Sequence, residues 1–169
     1  MVITKLTKIM AEITLHTLED TRALGMVLGR ISRPGDLVLL TGSLGAGKTT
    51  LAQFIAQGLD VPDECYVTSP SFALMHEYPG RIPFYHIDCY RLEGEDDVEE
   101  SGLMDYIVAD GLTVVEWPDR LGSLVPAERL EMEIRLAEND ARVVEITPHG
   151  QSWQERMDEV INACSRTGR

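Results

Sequence analysis

The spacing of apolar positions changes several times along the chain, and each change marks an element. Thr17-Leu18-Glu19-Asp20 has the form of a capping box, in which hydroxyl and carboxylate each satisfy a backbone N–H at a helix start. Leu24, Val27, Leu28 and Ile31 follow at helical spacing, and Gly29 with the Pro34-Gly35 pair is expected to end that helix and turn the chain. Leu37-Val38-Leu39-Leu40 is apolar without alternation, the pattern of a strand buried on both faces of a parallel sheet. After a glycine-rich turn, Leu51, Phe54, Ile55 and Leu59 mark one face of a second helix. Strand, glycine turn and helix in that order open an α/β domain.

Ile82 to Ile87 reads as a strand ending at Asp88, despite Pro83, and Thr113-Val114-Val115 as a shorter strand ending at Glu116. Between them, six of the eight residues from Glu93 to Glu100 are acidic. They read as a solvated helix whose first turn suits the positive end of its dipole, in preference to a docking face. Leu130, Met132, Ile134 and Leu136 alternate, Glu138-Asn139-Asp140 supplies a turn, and Val144 and Ile146 resume the alternation, so a hairpin is predicted. Ser152 with Glu155 reads as a second capping box, and Trp153, Met157, Val160, Ile161 and Cys164 as the apolar face of a closing helix. No repeat or linker interrupts the chain, so residues 1–169 are expected to form a single domain. Met1 to Ala11 has two readings: an extension ahead of a start at Met10, or a short strand or frayed end.

Composition narrows the class. With 44% hydrophobic and 25% charged residues the chain is globular in character and not disordered. At 169 residues a single core buries about 70% of the surface of the unfolded chain, so neither metal nor disulfide is needed to hold it. A net charge of −13 disfavours independent binding to nucleic acid, which rests on clustered Lys and Arg. Cys65, Cys89 and Cys164 are far apart and odd in number, which speaks against a disulfide framework or a zinc site and for a reducing compartment. No apolar run reaches membrane-span length and the N-terminus lacks a secretory pattern, so a cytoplasmic, membrane-free protein is expected.

Gly42-Ser43-Leu44-Gly45-Ala46-Gly47-Lys48-Thr49 matches the phosphate-binding loop in full. Glycines let the backbone curl so that successive N–H groups face a phosphate, and the next helix presents its positive end. In such a loop Lys48 neutralises β- and γ-phosphate oxygens and the Thr49 hydroxyl ligates Mg²⁺. A chain of this composition yields roughly 0.002 chance matches, and the match lies between the expected strand and helix. A neighbouring strand should end in an acid that serves the metal or the attacking water; Asp88 and Glu116 both qualify, and spacing does not choose between them. No Asn-Lys-x-Asp supports guanine selection, and Asp119-Arg120-Leu121-Gly122 fits only the loose Asp-x-x-Gly pattern of GTPases. His16, His76, His86 and His149 show no metal-ligand spacing.

Several segments together resemble one family. The loop, extended to Thr50, is followed by Thr68-Ser69-Pro70-Ser71-Phe72-Ala73-Leu74 and Tyr85-His86-Ile87-Asp88-Cys89-Tyr90-Arg91-Leu92. Gly102-Leu103-Met104-Asp105-Tyr106 and Val115-Glu116-Trp117-Pro118 complete the set. In order and spacing these are similar to TsaE (also called YjeE), bacterial P-loop ATPases required for threonylcarbamoyladenosine modification of tRNA. The resemblance implies a three-layer α/β sandwich of the P-loop NTPase type, with a central parallel sheet flanked by antiparallel strands. It implies ATP and Mg²⁺ as ligands and a TsaD and TsaB complex as partner, with tRNA reached only through that complex. Carried over by position, Lys48, Asp88 and Glu116 are the catalytic set, with Asp88 on the attacking water and Thr49 and Glu116 on the metal. Gly42 through Thr50 would hold the phosphates, Ser71 would sense the γ-phosphate within a switch segment, and Trp117 would pack beside the nucleotide. Thr17 would lie near the adenine, and Asp119, Asn139 and Arg142 at the rim. Two positions depart from the family pattern: Ser43 where Asp is usual, and Ser71-Phe72 where Thr-Tyr is usual, the first of that pair keeping a hydroxyl and the second losing a phenol.

The implied activity is ATP hydrolysis, slow alone and raised by partners, because no arginine in this chain obviously completes the site. Two alternatives share the loop. A small-molecule kinase needs a lid with several arginines, whereas only Arg81 and Arg91 lie near the switch segment. A nucleotide-switch binding module needs no hydrolysis, and the pair Asp88 and Glu116 speaks against it.

Overall fold

The computed structural model describes residues 11–166, with side chains to residue 162. The two readings of the N-terminal segment before Ala11, and the place of Cys164 on the closing helix, lie outside the described residues. The elements in chain order are β1 (Ala11–Leu15), α1 (Leu18–Ile31), β2 (Asp36–Thr41), α2 (Lys48–Gly58), β3 (Met75–Tyr78), β4 (Phe84–Asp88), α3 (Glu95–Glu100), α4 (Met104–Ile107), β5 (Leu112–Glu116), β6 (Arg129–Leu136), β7 (Arg142–His149) and α5 (Gln151–Arg166). The strands form one seven-stranded sheet in the order β1-β7-β6-β2-β5-β4-β3. β2 pairs in parallel with β5 and β6, and β4 with β5; the β1–β7, β6–β7 and β3–β4 pairs are antiparallel. This is the expected α/β sandwich, with parallel strands at the centre and antiparallel strands at both flanks.

Two apolar layers enclose the sheet because β2 and β5 send alternate residues to opposite faces. Val38, Leu40, Leu112 and Val114 pack with Leu24 and Leu28 of α1, Ile55 of α2 and Trp153 of α5. Leu37, Leu39 and Val115 pack on the other face with Val98 of α3 and Ile107 of α4. α1 starts with the predicted capping box: the Asp20 N–H donates to Thr17 Oγ1 at 3.1 Å, and Asp20 Oδ2 accepts from the Thr17 N–H at 2.9 Å. Gly29 does not end this helix, which continues to Ile31. It is glycine because α2 lies against it: a Cβ there would stand 2.2 Å from the Ile55 carbonyl oxygen.

The hairpin β6–β7 and the acidic helix α3 lie where expected, and β4 begins one residue after Pro83. Ser152 is not the cap of the last helix, which starts at Gln151. Its hydroxyl instead accepts from Arg156 at 2.9 Å, part of a buried cluster in which Arg156 donates to both oxygens of Asp36, at 2.6 and 2.8 Å. The sequence pattern does not mark the edge strand β3, and the short strand it allows over Met1 to Ala11 meets β1 at Ala11 alone. Among the described residues no helix is long and apolar enough to cross a membrane.

Candidate nucleotide site

β2 delivers the chain to the loop at the carboxyl ends of the parallel strands, where ligands of open α/β sheets bind. The loop can follow its path only with glycine at two key positions. Gly42 has φ 144°, and a Cβ on it would lie 2.4 Å from the Ile134 carbonyl oxygen. Gly47, at φ 110°, is the residue from which α2 starts, and no side chain caps that helix. Among the described residues the first-turn N–H groups of α2 therefore have no side-chain cap, and the positive helix end faces the cavity that Gly47, Lys48 and Thr49 line.

Lys48 is buried at 4% exposure, with Nζ 2.8 Å from the Gly42 carbonyl and 2.9 Å from that of Ser43. The ammonium also stands 4.1 Å from the centre of the Trp117 ring. Burial lowers its pKa from the usual lysine value, and the charges of Glu116, Asp88 and Asp119 oppose that shift. Thr49, one residue on, donates to Glu116 Oε1 at 2.8 Å. Glu116 Oε1 also lies 2.9 Å from Nε2 of His86, a residue with no exposed surface.

Asp88 and Glu116 are opposite each other in the β4–β5 register, so the two carboxylates leave adjacent strand ends together. Asp88 Oδ2 accepts from Ser69 at 2.7 Å and from Ser71 at 3.0 Å, and Oδ1 accepts from the Tyr90 N–H at 2.9 Å. Leu74 secures the segment carrying both serines: its N–H donates to the Pro70 carbonyl, and its own carbonyl accepts from the Asp88 N–H. Cys89, adjacent to Asp88, has its thiol pushed up to about 12, chiefly by burial, which leaves it no nucleophilic role.

Lys48, Thr49, Ser71, Asp88, Glu116 and Trp117 share a cavity of about 470 Å³. On the other side of the loop a cavity of about 310 Å³ is lined by Leu15, Thr17, Leu18, Ala46, Ile134 and Arg142, and Gly47 and Thr50 border both. A charged compartment thus adjoins, across the glycine-rich loop, a second one whose apolar wall of Leu15, Leu18, Ala46 and Ile134 is joined by the polar groups of His16, Thr17, Asp140 and Arg142. Leu44 is at the outer rim, 77% exposed. Asp119 lines a different cavity with Glu131 and Glu133, although its charge reaches Lys48. Asn139, at φ 55°, lines neither compartment, and Asp140 beside it lines the second one. Sequence reasoning passed over His86 as a site residue; its signal is the period of two that puts it on the same strand face as Asp88.

A family model described as "Threonylcarbamoyl adenosine biosynthesis protein TsaE" matches residues 15–144. The chain belongs to the TsaE family. The tRNA threonylcarbamoyladenosine biosynthesis protein TsaE of Bacillus subtilis is 36% identical over 143 residues, covering 84% of this chain and 88% of that relative. TsaE of Streptomyces coelicolor is 38% identical over 139 residues, covering 78% and 93%. The crystal structure of YdiB from Bacillus subtilis superposes with a TM-score of 0.72 at 30% identity, over 98% of this chain and all of that one. The TsaE match extends from the last residue of β1 into β7 and contains every site residue described above.

Proposed function

We propose that this TsaE-family chain binds Mg-ATP and hydrolyses it in support of a tRNA-modifying complex that contains TsaD and TsaB. The observation that carries the reading is the pair of strand-end carboxylates, Glu116 bonded to Thr49 of the loop and Asp88 bonded to Ser69 and Ser71. The donor set suits Mg²⁺, which takes hard oxygen ligands and shares its shell with substrate phosphates. Thr49 and Glu116 would hold that ion, which neutralises phosphate charge during transfer. Lys48 adds a buried positive charge beside the same loop, and the uncapped first turn of α2 offers backbone donors to phosphate oxygens. Asp88, fixed through both oxygens, is the acceptor that orients a water. The second compartment, with Leu18 and Ile134 as apolar wall and Thr17 and Arg142 as polar groups, suits a purine base.

The arginines near the switch segment are already engaged. Arg81 donates to the carbonyls of Gly29, Arg30 and Ser32 at the end of α1, and Arg91 stacks 4.0 Å over the Phe72 ring. That speaks against a kinase lid and for charge supplied by a partner during turnover. The test is Asp88→Ala. ATP binding should persist, and hydrolysis measured with TsaD and TsaB present should fall about 100-fold or more. Hydrolysis at the parental rate would remove Asp88 from the mechanism, and an unmodified chain indifferent to both partners would remove the partner assignment.

A further inference from the structure

We infer that His86 is a positioning residue for the metal-side carboxylate: its Nε2–H holds Glu116 so that Oε2 is left for the metal shell. The inference rests on the Mg-ATP reading above and adds a residue to it. Among the described residues Glu116 Oε1 takes two contacts, Thr49 Oγ1 at 2.8 Å and His86 Nε2 at 2.9 Å, whereas Oε2 has the longer contact to Thr49 at 3.1 Å. One oxygen is thereby occupied on both sides, and its partner is the less encumbered atom on the wall of the charged cavity.

The geometry also favours a proton on Nε2. A carboxylate oxygen accepts, so Nε2 is the donor in this pair, and Nδ1 is buried and meets no partner among the described residues. The ring has little freedom to swing away. It stacks on Phe84 at 6.1 Å and 26°, and Phe84 stacks in turn on Tyr78 at 6.0 Å and 28°. Tyr78 accepts from the Thr68 N–H at 3.3 Å, immediately before the serines that hold Asp88. A single ring thus braces one carboxylate, and its aromatic support continues toward the segment bracing the other.

The test uses three substitutions that differ in where a donor is placed. His86→Gln puts an amide N–H near the Nε2 position, His86→Asn puts it near Nδ1, and His86→Phe keeps a ring without a donor. The readout is Mg²⁺ affinity of the nucleotide-saturated protein, titrated calorimetrically with ATP in the absence of turnover, beside nucleotide affinity without Mg²⁺. His86→Asn and His86→Phe should weaken Mg²⁺ by about tenfold or more, His86→Gln should restore most of that loss, and metal-free nucleotide affinity should stay within a few-fold. Equal losses in the Gln and Asn variants, or none in any of the three, overturn the proposal. If the variants fold poorly, histidine ¹⁵N spectra of the unmodified chain decide. The His86 proton is expected on Nε2, with a resonance that moves when Mg²⁺ joins bound nucleotide; a proton on Nδ1 overturns the proposal. Absence of any Mg²⁺-dependent nucleotide binding by the unmodified chain is a different failure, because it removes the underlying Mg-ATP reading as well.

Discussion

The two halves of the sheet solve different problems. In the parallel half, β2, β4 and β5 are covered on both faces, their residues are almost all buried, and their carboxyl ends carry the loop, Asp88 and Glu116. On the other side of β2, β6 (parallel to β2) and β7 (antiparallel to β6) bury Leu130, Met132, Ile134, Val144 and Ile146 on one face. The other face turns Glu131, Glu133, Arg135 and Glu145 outward. The first half fixes the loop, Asp88 and Glu116 in a buried environment where a small displacement is costly. The second, through Leu15, Ile134 and Arg142, walls the second compartment and tolerates water. On the Mg-ATP reading proposed above, chemistry and grip fall to different strands, so substitutions in the two halves should have separable effects on stability, ATP KM and kcat.

The largest expected effect is on the clamp between them. Arg156 of α5 and Asp36 at the start of β2 are buried at 2% and 8% exposure, with contacts of 2.6 and 2.8 Å. Arg156→Met should cost about 3–5 kcal/mol in urea unfolding, because Asp36 is left buried without its partner. ATP KM should change little in the folded fraction, since the pair lines neither compartment. A collapse of ATP binding at unchanged stability would show that the halves are not separable. Next comes Gly29→Ala, where the added methyl meets the Ile55 carbonyl oxygen at 2.2 Å and Gly58 Cα at 2.7 Å. Because backbone cannot yield as a side chain does, about 1–3 kcal/mol of stability should be lost on thermal unfolding. An unchanged melting temperature would mean that α1 and α2 separate freely.

These two substitutions also mark where sequence legibility stops. The central strands and the loop were readable because their signals are local: an unbroken apolar run, and eight consecutive residues whose glycines, lysine and threonine have defined duties. Edge strands gave a weaker signal. Ala11–Leu15 and Met75–Tyr78 lack the adjacent apolar residues that mark β2 and β5, such as Val38-Leu39 and Val114-Val115. Gly29 was misread because its reason is a neighbour about thirty positions away, not its own turn propensity. Ser152 has the spacing of a cap, yet its hydroxyl is committed to Arg156, whose partner Asp36 is at the far end of the chain. The site follows the same rule. Lys48 and Thr49 were assigned from the loop alone, Asp88 and Glu116 as strand ends, but the bond from His86 to Glu116 depends on how two strands align.

A smaller effect should appear at the second compartment. Leu18 is 66% exposed and lines that cavity at the first residue of α1. Leu18→Ala should fold normally, raise ATP KM by about three- to tenfold for the loss of roughly 1 kcal/mol of apolar contact, and leave kcat unchanged. A fall in kcat with KM unchanged would reverse the division between grip and chemistry.

The smallest effect belongs to the open face. Arg135 reaches Glu12 and Glu145 from Nη2 at 3.5 and 3.4 Å and Glu133 from Nη1 at 3.5 Å, with its own side chain 46% exposed. These contacts are long and wet, so solvent screening removes most of their Coulomb energy. Arg135→Ala should cost only about 0.2–1 kcal/mol at low salt, a fall of about 1–3 °C in melting temperature. Part of that cost is repulsion among three acids left facing one another across β1, β6 and β7. It should therefore shrink at high ionic strength, where the Debye length falls to about 3 Å at 1 M salt. A loss that survives 1 M salt would have to come from packing of the arginine stem, and the open face would then be braced in the manner of the buried half.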